Sequence, residues 1–410
     1  MLSLLNSQLF SQKCKSVFFG FIMHIAHVIQ YIGKDFGGPV AGLAAMTAGL
    51  ASLGRQVEVY AAHRPCEGEM VTLAPGIKGN ICQDVTLGIL RHSALLWKLL
   101  QGADCSLIHS HGLWGDPNRC AATVARRKKI PHLLGTSGML EPNALRRARW
   151  KKLIVRNLFQ DRALWEADCL LANSEKEYQD IRAYGLTNPV ALIPNPVFGP
   201  ESVTNPVTTR EVRGRLPVGR RRTLLYLGRI HPVKGVHRLA EAWCRIPEFH
   251  DCWNLIIAGP DEGGFQATIE EILRKGGCAT SVTFTGSLDD RWKWGVLRQA
   301  DLFVMPSDYE NFGIAIVEAL LAGVPVIATT RTPWGILRDR QAGWVVEPET
   351  DALTTVLREA LATDGDMLLE MGVRGEAIGG NFAPDVIALQ LVEVYDWLLG
   401  RGDRPGSVRG

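Results

Sequence analysis

Short apolar segments alternate with longer amphipathic segments along most of the chain, beginning at Met23. The apolar segments have the length of buried strands, and the segments between them repeat apolar positions at helical spacing. In the first half the predicted strands are 25–29, 57–61, 106–109, 133–135, 169–172 and 190–193, and the predicted helices are 40–53, 117–128 and 144–163. This alternation predicts a Rossmann-like α/β domain over residues 23–195.

A second series of the same kind follows a break in the pattern. Residues 194–222 contain five prolines and no periodic apolar positions, which predicts a linker over 196–222. A second Rossmann-like domain is predicted over 223–383, with strands at 223–227, 255–258, 282–285, 302–305 and 324–328. The fold class is therefore α/β, with two parallel sheets facing an inter-domain cleft, where sheets of this kind bind ligands.

The two ends of the chain lie outside this alternation. Residues 1–22 contain one five-residue apolar run, too short for a signal-peptide core or a membrane span, and are predicted to be a dispensable extension. At the other end, apolar residues at helical spacing predict a helix over 384–399, and the Gly- and Arg-rich residues 400–410 are expected to form a flexible tail.

Composition and charge narrow the function classes. A chain of 410 residues is long enough for two domains, and its net charge is +3 at pH 7. Residues 1–200 contain 22 Lys and Arg against 14 Asp and Glu, whereas the remainder contains 23 against 28, which suggests different partners for the two halves. No recognition motif or aromatic platform accompanies the basic residues, which argues against nucleic acid.

The cysteines predict a reducing compartment. There are nine of them, without a CxxC pair or a Cys/His cluster at metal spacing. Cys105 and Cys169 lie in apolar runs, where a thiol behaves as a small hydrophobic group. We therefore expect neither a disulfide framework nor a zinc site.

The segment 301–328 carries the most specific chemistry. It is predicted to form a strand, a loop containing Glu310, a helix that Asn311, Phe312 and Gly313 open, and a second strand. Free backbone amides at the helix start suit a diphosphate, while Glu310 could accept from sugar hydroxyls and Glu318 from a ribose diol. By spacing alone, the two glutamates are better explained as ordinary solvated carboxylates.

Three further segments supply candidate residues. In 225–243, Arg229 and Lys234 flank a turn before a helix and could neutralise a diphosphate, although either could be an ordinary surface cation. His109 and His111 share one face at a strand end, and no third metal ligand is evident nearby. Gly37 and Gly38 lie between the first strand and helix, where glycine lets the backbone approach a ligand.

Other patterns are absent or have simpler explanations. The GxGxxG dinucleotide fingerprint is absent, which argues against an NAD enzyme. Asp289 and Asp290 are explained by a helix N-terminus, so we predict no metal.

The string PSDYENFGIAIVEALLAGVPVIA closely resembles the signature of glycosyltransferase family 4, the retaining group 1 glycosyltransferases. Members have the GT-B fold and a Glu-x7-Glu motif in this setting, and the resemblance extends from Met23 to about Leu399. It implies that Glu310 contacts the donor sugar and Glu318 the ribose. It also implies that Arg229 and Lys234, in a GR…KG element, bind the diphosphate.

The resemblance has implications for the first domain as well. His111 fits best the family's histidine near the donor sugar, with His109 as the competitor, and the Gly37–Gly38 loop would lie near the transferred phosphate and the acceptor. Related sequences often have Arg-Gly before Met-Leu, where this chain has Thr136, Ser137 and Gly138. That difference leaves the phosphate or acceptor contact of this loop open.

The implied function is transfer of a hexosyl-type sugar, with retention, from a UDP- or GDP-sugar to a glycan or lipid-linked acceptor in lipopolysaccharide or exopolysaccharide synthesis. No cofactor beyond the nucleotide-sugar is expected, and the implied location is cytoplasmic. A sugar-nucleotide epimerase or hydrolase, or a non-catalytic nucleotide-sugar-binding subunit, remains an alternative on the same fold.

The predicted helix 144–163 is basic at its start and contains Trp150. Its cations are Arg146, Arg147, Arg149, Lys151, Lys152 and Arg156. Such a run is usually a solvated helix face, but it also fits peripheral contact with anionic lipid on the inner face of a membrane.

Overall fold

The computed structural model describes residues 23–63, 68–83, 85–87, 90–216 and 221–410, and within them two sheets of parallel strands form two α/β domains. The strands of the first domain are β1 (His24–Tyr31), β2 (Gln56–Ala62), β3 (Lys78–Cys82), β4 (Val85–Leu87), β5 (Leu90–His92), β6 (Leu107–His111), β7 (His132–Gly135), β8 (Cys169–Ala172) and β9 (Val190–Leu192). Its helices are α1 (Gly38–Ser52), α2 (Ala94–Gly102), α3 (Asp116–Lys128), α4 (Pro142–Arg146), α5 (Arg149–Val155), α6 (Asp161–Trp165) and α7 (Glu175–Ala183). The predicted extension 1–22 lies outside the described residues.

The first sheet has the strand order β9-β8-β7-β6-β1-β2-β3, and the short strand Val408–Arg409 pairs antiparallel with β9 as an eighth strand. Strands β4 and β5 form a separate antiparallel hairpin. The strand order reverses direction between β6 and β1, so the loops that follow these two strands diverge and leave a crevice at their carboxyl ends.

The second domain repeats this plan with six strands in the order β12-β11-β10-β13-β14-β15. They are β10 (Arg222–Leu227), β11 (Trp253–Ala258), β12 (Val282–Gly286), β13 (Leu302–Met305), β14 (Val326–Thr329) and β15 (Gly343–Val346). The helices are α8 (Thr209–Arg215), α9 (Val236–Cys244), α10 (Gln266–Lys275), α11 (Asp290–Leu297), α12 (Ile314–Leu321), α13 (Ile336–Asp339), α14 (Thr350–Ala362) and α15 (Gly365–Gly379). Here the reversal falls between β10 and β13.

The last helix, α16 (Pro384–Leu398), returns to the first domain. Its residues Ile387, Leu391 and Tyr395 are fully buried in one core with Ile25 and Met46. The first domain is therefore completed by residues that follow the second domain in sequence.

Every predicted strand is present, with ends within two residues of those expected. Five strands were not predicted: β3, the two strands of the β4–β5 hairpin, β15 with its single buried residue, and the strand Val408–Arg409. Short strands of this kind lack the apolar run that identifies central strands.

Three predictions about local structure are wrong. The helix expected over 144–163 is broken at Ala148, whose φ is +49°, and contains a π-helical turn at Arg156–Gln160. The linker expected over 196–222 contains α8, whose Val212 is buried in the second core. The tail 400–410 is anchored, because Val408 is buried and pairs with β9.

One disulfide is present, where the cysteines led us to expect a reducing compartment and no disulfide framework. Cys244, the last residue of α9, forms a disulfide with Cys278, which follows α10. The two residues are 34 apart in sequence, and the packing of α9 against α10 brings their Cα atoms to 5.7 Å. Among the described cysteines, five are free and four of these are buried: Cys82, Cys105, Cys120 and Cys169.

Candidate functional site

The loops that follow β10 and β13 bring Lys234 and Glu310 together. Lys234 ends a short 3₁₀ turn after β10, and its Nζ donates to Glu310 Oε1 at 2.5 Å. Ser307 Oγ also donates to this oxygen, at 2.9 Å. Both charged side chains are mostly buried, so the pair is held in one geometry at the carboxyl edge of the sheet.

The start of α12 lies directly after this carboxylate. Gly313 has a φ of +88°, which favours glycine, and it is the residue before the first helical turn. Trp334 packs beneath it and donates its Nε1 hydrogen to the Phe312 carbonyl oxygen at 2.5 Å. The backbone amides at the helix start and the positive end of the helix dipole can therefore receive an anion.

Glu318 lies further along α12 and is buried beside Lys293. Lys293 Nζ donates to Glu318 Oε1 at 2.7 Å and to Asp290 Oδ1 at 2.8 Å. Burial disfavours the charged ammonium, but the attraction of the two carboxylates is stronger and raises the pKa of Lys293. The Glu318 carboxylate is thus held by an ion pair in the same domain as the helix start that can receive an anion.

Arg229 is placed differently from the other predicted cation. Its guanidinium pairs with Glu262, and both side chains are about half exposed, at 50% and 45%. The carbonyl oxygen of Arg229 accepts from Tyr226 Oη at 2.8 Å, which fixes its backbone. The side chain can therefore exchange Glu262 for a ligand anion at low cost, because exposed ion pairs are weak.

On the first domain, His111 ends β6 and His27 lies beside it in β1. His27 Nδ1 and His111 Nε2 are 2.9 Å apart and share a hydrogen bond. His109 pairs in register with His27, and its Nδ1 is 2.7 Å from the hydroxyl oxygen of Tyr395. His109 is fully buried while His111 is partly exposed, so His111 is the histidine available to a ligand.

Burial keeps these imidazoles neutral. It lowers the pKa of His111 to about 3, and burial together with the neighbouring rings lowers the pKa of His27 and His109 well below the ordinary value. The expectation that no third metal ligand lies near His109 and His111 is wrong, because the parallel register of β1 and β6 places His27 beside both of them. No sequence spacing could show this, since 84 residues separate His27 from His111.

Gly37 and Gly38 face the second domain across the cleft. Gly37 has a φ of +65°, and a Cβ atom added to Gly38 would lie 3.4 Å from Ile314 Cδ1 at the start of α12. The glycine loop therefore meets the start of α12 across the cleft, while His111 ends β6 at the carboxyl edge of the first sheet. The predicted N-cap role of Asp289 is confirmed, since its side chain accepts from the Trp292 amide at 2.8 Å.

Sequence reasoning missed four residues of this region: His27, Glu177, Lys293 and Trp334. Each is buried or mostly buried and contacts a predicted residue through a different element. Of these four residues, only Lys293 had a local signal in the sequence, because it follows Asp289 and Asp290 at the start of the same helix. The others required the tertiary fold.

The architecture and sequence have known relatives. Residues 209–376 match the family Glycosyl transferases group 1, and residues 37–196 match the family Glycosyl transferase 4-like domain. A D-inositol 3-phosphate glycosyltransferase of Corynebacterium urealyticum is 24% identical over 400 residues, which cover 91% of this chain and 93% of that protein.

Two solved structures share the fold. HepE of Anabaena, in complex with UDP and glucose, has a TM-score of 0.69 at 21% identity and covers 92% of this chain and 100% of its own. WaaG, a glycosyltransferase involved in lipopolysaccharide biosynthesis, has a TM-score of 0.66 at 19% identity, with coverage of 92% and 100%. The chain therefore belongs to the group 1 glycosyltransferases, the retaining family 4, which have the GT-B fold and use nucleotide-sugar donors.

Proposed function

We propose that this enzyme transfers a hexosyl-type sugar from a UDP- or GDP-sugar to a glycan or lipid-linked acceptor, with retention of configuration and without a metal ion. The observation that carries the proposal is the buried Lys234–Glu310 pair at the start of α12, with Glu318 further along the same helix. The loop before α12 and the helix itself thus offer groups for sugar, diphosphate and ribose in the order in which a nucleotide-sugar presents them.

The donor would bind mainly to the second domain. The amides of Phe312, Gly313 and Ile314 would bind the diphosphate, and Arg229 and Lys234 would neutralise it. Glu318 would accept from the ribose hydroxyls, and Glu310 from hydroxyls of the transferred sugar. From the first domain, His111 and the Gly37–Gly38 loop would approach the sugar and the phosphate next to it.

Transfer would proceed on one face of the sugar. The bond between the anomeric carbon and the diphosphate oxygen breaks, and the acceptor oxygen forms the new bond on the same side. The acceptor proton passes to an oxygen of the departing phosphate, so no side-chain nucleophile is needed. Arg229, Lys234 and the start of α12 stabilise the negative charge that develops on the diphosphate.

The acceptor is proposed from charge and from relatives. A basic first domain suits an acceptor with phosphate or carboxylate groups. A relative is named for glycosylating D-inositol 3-phosphate, and a fold relative for lipopolysaccharide biosynthesis. An anionic glycan or lipid precursor of lipopolysaccharide or exopolysaccharide is the acceptor class that these observations favour.

We also propose that the first domain touches the inner face of a membrane. In the described chain no helix is both long and apolar enough to span a bilayer. However, α5, α6 and the π turn between them expose large apolar side chains next to cations, and the exposed fractions reach 64%. These side chains are Trp150, Leu153, Ile154, Leu158 and Trp165. Apolar groups among cations suit an interface with anionic lipid.

Vesicle sedimentation tests the membrane contact. The wild type should bind phosphatidylglycerol vesicles more strongly than phosphatidylcholine vesicles, and Trp150→Ser with Leu158→Ser should reduce the bound fraction severalfold. Leu369→Ser, at an exposed position of the second domain, serves as the control and should bind like the wild type. Equal binding of all variants, or no binding to phosphatidylglycerol, would refute the contact.

Calorimetric titration of the nucleoside diphosphate tests the assigned donor roles. Glu318→Ala should weaken binding by about tenfold to a hundredfold, because the ribose is present in the free nucleotide. Glu310→Gln should lower turnover with only a modest loss of nucleotide affinity, because its partner is the sugar. Equal affinity losses in both variants, or none in Glu318→Ala, would show that the roles are wrong.

Incubation with donor alone separates transfer from the rival activities. An epimerase or a hydrolase converts the nucleotide-sugar without an acceptor, whereas a transferase releases the nucleoside diphosphate rapidly only when an acceptor is present. A binding subunit turns over in neither condition. Rapid conversion of donor alone would therefore contradict the proposed function.

A further inference from the structure

A buried carboxylate on the first domain holds a residue of the candidate donor loop on the second. Glu177 lies in the first turn of α7 and is 1% exposed. Its Oε2 accepts from Asn311 Nδ2 at 2.9 Å, so a direct side-chain hydrogen bond crosses the cleft. Asn311 is adjacent to Glu310 and opens the segment that leads into α12.

The same carboxylate holds the loop that follows β7. Thr136 Oγ1 and the Gly138 amide both donate to Glu177 Oε1, at 2.5 and 2.6 Å. The Asn173 amide donates to Oε2 at 2.8 Å. Each carboxylate oxygen therefore accepts two hydrogen bonds. All four donors can be satisfied only by a side chain that accepts through both of its terminal atoms and carries no hydrogen on either.

The backbone of this loop allows the close approach of the two domains. Ser137 and Gly138 have φ values of +52° and +71°, and a Cβ atom on Gly138 would lie 2.9 Å from Asn311 Cγ. Beside it, Lys176 Nζ lies 4.8 Å from the ring centre of Tyr309 and adds a second contact between the domains. The segment 136–138 is thus held by Glu177 of its own domain and, at Gly138, lies against Asn311 of the second domain.

The bond to Glu177 also fixes which way the Asn311 amide faces. A carboxylate accepts only from the amide nitrogen, so Nδ2 must point at Glu177 and Oδ1 must point away. Within the part of the chain that the structure describes, the buried Oδ1 has no hydrogen-bond partner.

We propose that Glu177 is a positioning residue for sugar transfer: it closes the first domain onto the donor loop and orients Asn311 so that its Oδ1 accepts from a substrate hydroxyl. The inference rests on the proposed function for the identity of that substrate. It predicts that Glu177 affects turnover in the closed state and has little effect on nucleotide binding, because most of the groups proposed to bind the nucleoside diphosphate lie on the second domain and Glu177 contacts none of them except through Asn311.

The first test compares Glu177→Gln with Glu175→Gln. Glutamine has the same shape as glutamate, but its NH2 group would face the hydrogen-bond donors that now point at one carboxylate oxygen. We therefore expect kcat to fall about tenfold to a hundredfold. The Kd of UDP or GDP should stay within about twofold, and small-angle scattering should show a more open molecule. Glu175 is the matched control, since it is the first residue of the same helix, is exposed and pairs with Arg409.

A swapped pair provides a readout that a purely structural role would not give. Asn311→Asp should also lower kcat and open the cleft, because two carboxylates would then face each other. Glu177→Gln combined with Asn311→Asp restores a donor and an acceptor across the cleft, so closure and part of kcat should recover. The effects of the two substitutions would then be non-additive.

The outcomes are separable. If Glu177→Gln has the same kcat and the same scattering curve as the wild type, the inference is wrong. It is also wrong if the variant loses kcat, nucleotide affinity and melting temperature in parallel. If the double variant is merely the sum of the single ones, the orienting role is wrong. If the wild type transfers sugar from no nucleotide-sugar, the proposed function fails, while the scattering comparison still tests the contact between the domains.

Discussion

The two cations in the turn after β10 differ in their partners and in their exposure. Lys234 is bonded to Glu310 in a mostly buried pair, whereas Arg229 pairs with Glu262 at the surface. A departing diphosphate would draw both cations away from carboxylates. In the proposed donor geometry, Lys234 would act close to the sugar, and Arg229 would approach from the solvent side.

Arg229→Ala and Lys234→Ala should each lower kcat by about two to three orders of magnitude in a protein that stays folded. The reason is the loss of a charge-assisted contact to the developing anion. Steady-state kinetics with the nucleotide-sugar that the wild type uses provides the measurement. Lys275→Ala, which removes an exposed cation of the same domain, should retain normal activity. Near-normal rates in both test variants would place the diphosphate elsewhere.

Buried histidines make stability depend on pH. Burial lowers the pKa of His132 to about 4, whereas an unfolded chain titrates near 6.5. Between these values the unfolded state binds a proton that the folded state does not. The free energy of unfolding is therefore fully retained above about pH 6.5 and falls by up to about 1.4 kcal/mol per pH unit as the pH is lowered through this window.

His132→Gln should reduce that dependence, because glutamine does not titrate and can still bond Ser110, the present partner of His132. Melting temperatures measured between pH 7 and pH 4 should fall less steeply for the variant than for the wild type. Parallel curves would mean that His132 titrates alike in the folded and unfolded states.

Among the elements, α1 and α16 approach unusually closely. A Cβ atom added to Gly49 of α1 would lie 2.1 Å from the Pro384 carbonyl oxygen and 3.1 Å from Ala388 Cβ. The approach lets α16 bury Ile387, Leu391 and Tyr395 in the first core. The last helix of the chain thus supports β6 through the contact of Tyr395 with His109.

Gly49→Ala should lower the free energy of unfolding by about 1–3 kcal/mol, because overpacking outweighs the roughly 1 kcal/mol gain in helix propensity. Urea denaturation measures the change. Gly102→Ala is the matched control, since Gly102 ends α2 and no atom lies within 4 Å of its added Cβ. A Gly49→Ala variant as stable as the wild type would show that α16 can shift without cost.

For the whole molecule, the first described residue, Met23, is 1% exposed and belongs to the same core cluster as α16. Deleting residues 1–22 should therefore leave the melting temperature and kcat nearly unchanged. Both are measured on the truncated and full-length proteins side by side. An insoluble or inactive truncated protein would show that the extension is required.

The sequence by itself determined the strands, the two-domain plan and most of the donor loop. Buried parallel strands are short continuous apolar runs, so β8 and β13 could be predicted to the residue. The string around Glu310 and Glu318 identified the family, because the glycine that shapes the backbone and the two carboxylates lie close together in sequence. For the same reason the cap at Asp289 was predictable.

Only the tertiary structure decided the contacts between distant segments. The register of β1 and β6 placed His27 beside His111, and the packing of two helices joined Cys244 to Cys278. The break at Ala148 and the anchoring of Val408 depend on surroundings that local propensity does not contain. Glu177 meets Asn311 across 134 residues and two domains. Such pairs leave no periodic signal, because their spacing in sequence is set by the topology of the chain.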